Sequence, residues 1–364
     1  MVVPSLPIEI VEHIIKQSLP PLRSTAFQKR YELLRTFALV DSRWRVVAQR
    51  ELGKHVLLKK TRFEKIAVLN GFVPEYLKQA TSVWVEAEDG KAAALRETAF
   101  RILKECRRVQ ELAVGWTTTE SKFYWAAQDL RSLKGHGIDF LLEATIPSFS
   151  RLTYLELVEP LLASVNGVWS RFLNPTTLPS LRCLKLHRHI ESDFVRGDPG
   201  QLNDLNDVFD PLLSLAAQLQ VLAIHEVGEQ DIINRFKTED WKRFDELQYL
   251  AIGKGSNCLS TWSHTPDSIP PKLKTLVILD LGDGSDQDEV YQELQGVVAQ
   301  WRGEIGRQLV IKRQAAVEKD DAGAVMGARE SLLRSESAER RQIVVREVLA
   351  NGSFDDWETF FDVW

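Results

Sequence analysis

Residues 181–186 read Leu-Arg-Cys-Leu-Lys-Leu, with apolar side chains at the first, fourth and sixth positions. In an extended chain successive side chains alternate between two faces, so Leu184 and Leu186 share one face and Lys185 takes the other. The pattern therefore predicts a strand with one apolar face. Similar segments occur along the chain, beginning at Ala80, Val109, Leu152, Leu219, Leu247 and Leu273, with a weaker copy at Leu130.

The spacing of these segments indicates a repeat. Their central residues lie 21 to 29 positions apart, except for the 38 positions between Leu184 and Leu222, where residues 191–210 form an acidic insertion. This strand pattern with a period of roughly 20–29 residues is typical of leucine-rich repeats. Apolar residues at helical spacing separate several strands, as in 202–219 and 286–301, and Val56 and Leu309 fit terminal strands. We expect an α/β solenoid of irregular strand–helix repeats; the alternative is an ordinary α/β domain with leucine-rich strands.

The outward side of the later strands is a candidate binding face. Between the buried leucines, these positions are unusually apolar for a surface in water, and exposed apolar patches commonly mark interaction sites. We expect a protein substrate to bind this concave face, with Tyr249 at its centre. The alternative is that the C-terminal segment folds over these strands and buries them. The candidate residues are Lys185, His187, Val221, Ala223, His225, Tyr249, Ala251, Val277 and Leu279.

A different pattern precedes the repeats, in residues 1–52. Pro7 suits a first helical turn, and Ile10 with Ile14 lie four residues apart on one helical face. A second amphipathic helix is predicted near residues 30–40, and Asp41 or Ser42 can cap a third. Three short amphipathic helices make a poor isolated domain, so we expect leftover apolar surface to meet a partner.

The residues of this region resemble the F-box family. Leu6-Pro7-x-Glu9 is followed by a helix and then by Ala38-Leu39-Val40 and Trp44, in the family's order. The connection at residues 20–32 is longer than usual and is similar to that of many fungal F-box proteins. The resemblance implies that this module docks on the Skp-type adaptor subunit of a cullin–RING (SCF-type) ubiquitin ligase. The positions that it assigns to docking are Leu6, Pro7, Ile10, Ile14, Leu39, Val40 and Trp44. The alternative is that these residues only cap the solenoid.

The C-terminal region, residues 313–364, is predicted to be a helix followed by an acidic, aromatic tail. Residues 312–351 have a largely helical pattern that stops at Asn351-Gly352. We expect the aromatic residues of 353–364 to cover the last repeat, because so much aromatic area is costly to leave in water. The alternative is a disordered interaction motif.

Composition excludes several classes of function. The formal net charge of −5 argues against a nucleic-acid binder, which would carry a basic stripe. The longest apolar runs are too short for a membrane span, and three scattered cysteines fit reduced thiols of the cytoplasm or nucleus.

Motifs for catalysis are also missing from the sequence. His187 and His189 could face the same way from a strand, but no zinc motif accompanies them. Residues 282–286 lack the lysine of a P-loop and the spaced acids of a calcium loop, which favours a turn. We therefore expect no enzyme, metal or cofactor.

The sequence predicts an F-box-like module at 1–52, a repeat solenoid at 53–312 and a cap at 313–364, acting together as a ligase adaptor; the alternative is a repeat scaffold without a ligase.

Overall fold

The computed structural model describes most of the elements that the sequence predicts. The described residues are 6–20, 24–58, 78–86, 106, 108–118, 129–138, 146–158, 168–189, 206–227, 232–253, 258–279, 287–301, 307–314, 332 and 344–350. They fall into two compact units. Those of the first unit lie within 1–116 and 122–133, and those of the second within 117–121 and 134–352.

The first unit begins with three helices. These are α1 (Ile8–Ser18), α2 (Ser24–Phe37) and α3 (Ser42–Lys54). Pro7 precedes α1 with φ −54°, and its carbonyl accepts the N–H groups of Ile10 and Val11 at 3.1 Å. Asp41 caps α3, since its carboxylate accepts the N–H groups of Arg43 and Trp44. All three predicted helices are present, and α2 begins six residues before the predicted start.

Eleven strands are described, one for each predicted apolar pattern and one more. They are β1 (His55–Leu58), β2 (Ser82–Glu86), β3 (Glu111–Thr118), β4 (Ser132–Ile138), β5 (Tyr154–Val158), β6 (Cys183–His189), β7 (Val221–Val227), β8 (Tyr249–Gly253), β9 (Thr275–Leu279), β10 (Gln308–Gln314) and β11 (Val344–Ala350). In the first unit β2 lies between β1 and β3, and in the second unit β5 to β11 are neighbours in chain order, all parallel. The predicted α/β fold is confirmed, and these neighbouring strands are parallel.

One backbone arrangement recurs at the start of the strands. The carbonyl of the residue before a strand accepts two N–H groups at the start of the next strand, one from the residue before that strand and one from its first residue. Thr153 accepts from Arg182 and Cys183 at 3.0 and 2.9 Å, and Arg182 in turn accepts from Gln220 and Val221 at 2.8 and 3.0 Å. This arrangement aligns the strands at one level, which places the repeated leucines side by side.

The core of the second unit is a row of leucines at the centre of the strands. Each is paired in register with the next, and each is completely buried. The row consists of Leu155, Leu184, Leu222, Leu250, Leu276 and Leu309. In the first unit Val83 and Leu112 are paired and buried in the same way. The predicted inward positions are therefore correct.

Helices of the second unit follow the strands. They are α4 (Val168–Phe172), α5 (Asn206–Leu215), α6 (Thr238–Trp241), α7 (Cys258–His264) and α8 (Gln287–Gln300). Their bounds confirm the predicted helices in 202–219 and 286–301. No helix in the described ranges is long and apolar enough to cross a membrane.

The predicted C-terminal helix is wrong over residues 344–350. Residues 344–350 form β11, which pairs with β10 from Gln308↔Val344 to Gln314↔Ala350. Val344, Val345 and Val348 fit both patterns, but β-branched residues favour a strand, and β10 offers a parallel edge with unpaired backbone groups. β10 also extends to Gln314, beyond the predicted repeat boundary at 312. The predicted cap at 353–364 lies outside the described residues.

Candidate functional site

Large aliphatic side chains are exposed on the three N-terminal helices. Leu39 is 81% exposed and Val40 is 58% exposed, although both are apolar and lie in the short turn between α2 and α3. Scattered exposed leucines are normal, but a group of them on one small module marks an interaction surface. We call this group the apolar surface, and it comprises Leu6, Ile8, Ile10, Leu39, Val40 and Val46.

The helices expose these residues because their other faces already form a core. Val11 and Ile15 of α1 are buried against Leu34 of α2 and Val47 and Ala48 of α3. Neighbouring residues on a helix point about 100° apart, so burying Val11 turns Ile10 toward solvent. The apolar residues of α1 therefore divide between a core face and a free face.

Two arginines link parts of the apolar surface to α3. Arg43, in the first turn of α3, donates from Nη1 to the carbonyl of Leu6 at 2.9 Å. Arg45 donates from Nε to the carbonyl of Ala38 at 3.3 Å. The segment before α1 and the turn before α3 are thus both fixed to the first turn of α3.

The remaining predicted docking residues have mixed environments. Trp44 is partly buried and packs on Phe37, with ring centroids 5.6 Å apart, so much of it supports the core. Ile14 is partly buried, while Pro7 is exposed and begins α1. Of the seven predicted docking positions, Leu6, Pro7, Ile10, Leu39 and Val40 are exposed on the same module.

Two members of the apolar surface were not predicted. Ile8 and Val46 are 42% and 57% exposed. Val46 is three residues after Arg43, which places both on one side of α3. The signal was present in the sequence, because Val46, Val47 and Ala48 are consecutive and three successive residues span about 200° of a helix, more than its core face covers.

The second candidate site is the outward face of β6 to β9, and the prediction that it is exposed is wrong. β8 is buried along its whole length, and β9 is buried at four of its five residues. Parallel strands are usually covered on both faces and therefore have continuous apolar sequences. The sequence left open that the C-terminal segment covers these strands, and most of that segment lies outside the described residues. The buried candidates are Lys185, Ala223, Tyr249, Ala251, Val277 and Leu279.

The other candidates on this face are less buried or have undescribed side chains. Val221 is only partly buried, and so is His187. The backbone of His225 is opposite His187 in the β6–β7 register, and its side chain lies outside the described residues. Burial raises the pKa of the Tyr249 hydroxyl, which keeps this predicted central anchor neutral. The buried candidates, Tyr249 among them, are not accessible to a substrate in this structure.

At one edge of this face, charged groups converge on Glu156 of β5. Lys134 Nζ lies 3.1 Å from its carboxylate, Lys185 Nζ 4.0 Å and His187 Nε2 3.8 Å, and Tyr154 donates a hydrogen bond. Burial by itself would raise the pKa of Glu156. The two ammonium groups, the imidazole and the Tyr154 hydroxyl outweigh burial and lower this pKa to about 2.

This charged group also holds its lysine against an aromatic ring. Lys185 Nζ lies 4.9 Å from the centre of the Tyr154 ring, a favourable cation–π distance. Glu156 and Lys185 are nearly inaccessible to solvent, so a buried charge is retained here by an opposite charge. The sequence gave no reason to include Glu156 in a site, since its charged partners come from the separate strands β4 and β6.

Comparisons with known proteins leave the candidate sites to be judged on geometry. No protein-family model and no curated protein matches the chain. Among the described residues, no group of three histidine, cysteine or acidic side chains could hold a metal ion. The apolar surface is therefore the feature that carries a functional argument.

Proposed function

We propose that the chain is a substrate-recognition subunit of a cullin–RING (SCF-type) ubiquitin ligase. Its three N-terminal helices act as an F-box that docks on the Skp-type adaptor subunit. Its strand–helix units act as leucine-rich repeats that bind a protein substrate. The chain itself performs no chemistry in this role, since it holds a substrate near the enzyme of the complex.

The observation that carries this proposal is the exposed apolar surface. Leu6, Ile10, Leu39 and Val40 are positions that the F-box resemblance assigns to docking, and each exposes more than two fifths of its surface. Burying a Leu or Ile side chain stabilises a complex by roughly 1.5–3 kcal/mol. A module that only capped the repeats would gain nothing from keeping these side chains in water.

The recurring backbone arrangement supports the repeat part of the proposal. The same carbonyl-to-N–H bonds occur before β6, β7, β8 and β9, although the connecting segments differ in length. Strands that begin at one level and repeat the same inward leucine are expected of units stacked on their neighbours. Repeats of this kind offer extended surfaces for protein partners.

Affinity purification of the tagged full-length chain followed by mass spectrometry tests the proposal. A ligase subunit should co-purify with Skp-type and cullin proteins, whereas a repeat scaffold without a ligase should not. The test variant is Ile10→Glu with Leu39→Glu, which introduces charge at two exposed positions and leaves the helical core intact. The matched control is Gln17→Glu with Gln49→Glu, which adds the same charge at exposed positions of α1 and α3.

The expected result is loss of the Skp-type and cullin proteins from the test variant alone. Placing a carboxylate in an apolar contact should weaken binding by about 100-fold or more. Recovery of these proteins with a folded test variant would show that another surface binds them. Their absence from the wild-type sample would remove the ligase assignment.

A further inference from the structure

We propose that the apolar surface selects a partner segment that is both apolar and acidic, with carboxylates that pair with Arg43 and Arg45. This inference rests on the proposed docking role for its biological partner, but the character of the surface can be tested without that partner. It names two arginines that the F-box resemblance does not assign.

Arg43 lies at the Leu6 end of the apolar surface. Its guanidinium donates one hydrogen bond to the carbonyl of Leu6, which places the charge beside an exposed leucine. Val46, three residues later, occupies the same side of α3. A guanidinium group has five N–H donors, so a single bond to a carbonyl leaves donors for a carboxylate.

Arg45 occupies an equivalent place at the other end. Its Nε donates to the carbonyl of Ala38, the residue immediately before Leu39 and Val40. Both arginines are exposed. Each guanidinium is thus held by a backbone carbonyl next to exposed aliphatic side chains, an arrangement that fixes a charge without neutralising it.

Neighbouring acids do not cancel these charges. In the described part of the chain, neither guanidinium forms an ion pair, and each bonds to a carbonyl instead. The nearest acid in sequence is Asp41, whose carboxylate is already bonded to the N–H groups that open α3. By contrast, Arg50 at the other end of α3 pairs with Glu12.

A second copy of the chain is a poor occupant of this surface. A twofold contact would bring the arginines of both copies into one interface, and like charges oppose such contacts. Complementary charge at the rim of an apolar contact mainly accelerates association and excludes neutral or basic competitors. An acidic protein segment therefore fits best.

The character of the surface can be tested on the full-length chain with two small probes. One is 8-anilinonaphthalene-1-sulfonate, an apolar anion, and the other is N-phenyl-1-naphthylamine, which has the same rings without the charge. The variant Arg43→Gln with Arg45→Gln should bind the anion about fivefold more weakly and the neutral probe within about twofold of wild type. Leu39→Ser with Val40→Ser should weaken both probes.

Two further variants separate charge from structure. Arg43→Lys with Arg45→Lys keeps the charge but loses the guanidinium geometry, and should retain the anion. Lys242→Gln with Lys272→Gln removes two exposed charges elsewhere and should change neither probe. Equal binding of the anion by wild type and the arginine-to-glutamine variant would overturn the inference. The inference would also be overturned if wild type bound phosphatidylserine vesicles and the arginine-to-glutamine variant did not, since the occupant would then be a membrane.

Kinetics with the purified Skp-type subunit complete the test. The arginine-to-glutamine variant should associate about five- to tenfold more slowly at low salt, with dissociation changed less than about twofold. Binding that does not depend on salt or on these arginines would refute the inference and leave the docking role intact. Absence of binding together with a charge-selective probe response would refute the docking role and leave the inference intact.

Discussion

At the scale of single residues, His55 shows how a titratable group can be kept neutral inside the first unit. Its Nε2 lies 3.3 Å from Nη2 of Arg30, and because arginine can only donate, the imidazole accepts. Burial lowers the pKa of His55, and the charge of Arg30 lowers it further, to about 4. Protonation would break this hydrogen bond and place two cations together.

We therefore expect the stability of the first unit to fall as the pH drops from about 6.5 to 4. The folded pKa of His55 is below its unfolded value, so neutral His55 contributes stability above pH 6.5 that is lost as the pH falls toward 4. The full effect is about 3 kcal/mol. Denaturant unfolding of wild type and His55→Gln at several pH values measures it. If the free energy of unfolding changed equally with pH in wild type and His55→Gln between pH 7 and 4, the assignment would be contradicted.

Glu156 provides the second test at this scale. Glu156→Gln removes the charge on which Lys134, Lys185 and His187 converge, and should destabilise the second unit by about 3 kcal/mol at pH 7. The pKa of Glu156 is lowered, so this contribution is present above pH 4.5 and disappears as the pH falls toward 2.

An exposed ion pair supplies the control for Glu156. Lys242→Gln breaks the solvent-exposed ion pair with Glu239 of α6. This change should lower the free energy of unfolding by less than about 1 kcal/mol. Equal losses of stability in the two variants, measured by urea denaturation, would show that the charges around Glu156 are no more important than a surface pair.

At the scale of elements, the close crossing of α7 and α8 depends on one glycine. A Cβ added at Gly296 of α8 would lie 2.6 Å from Cβ of Ser263 and 3.3 Å from its Cα. Such distances are too short for two carbon atoms. The two helices can approach this closely only because position 296 has no side chain.

Gly296→Ala should therefore destabilise the second unit, although alanine normally favours a helix over glycine by about 1 kcal/mol. We expect a loss of about 1–3 kcal/mol from overpacking. The double variant Gly296→Ala with Ser263→Gly removes the clashing Cβ and should recover much of the loss. The melting temperatures of wild type and the two variants measure both effects. A more stable Gly296→Ala variant would mean that the helices separate without cost.

The strands show how far a local pattern predicts an element. Leu155, Leu184 and Leu222 were predicted as inward positions because a period of two with one apolar face has few alternative structures. β11 was missed because Val344, Val345 and Val348 satisfy helical spacing as well. Their β-branched side chains favour a strand, but the open edge of β10, which decides between the two, is a tertiary feature.

At the scale of the whole molecule, burial was the property hardest to predict. Lys185 and Tyr249 were placed correctly on the outward face of the sheet, but the sequence does not show whether that face is covered. The apolar surface of the N-terminal helices was easier to predict, because a module of three short helices has too few residues to bury every aliphatic side chain. Leu39 and Val40, in a turn, had no core to join.

The docking surface is the central claim, and calorimetric titration of the full-length chain with a purified Skp-type subunit tests it most directly. We expect a one-to-one complex, and a negative heat-capacity change because Leu6, Ile10, Leu39 and Val40 would leave water. Gln17→Glu with Gln49→Glu should bind like wild type, whereas Ile10→Glu with Leu39→Glu should bind about 100-fold more weakly or not at all. A folded wild-type chain that produces no heat of binding, or an Ile10→Glu, Leu39→Glu variant that binds as tightly as wild type, would contradict the claim.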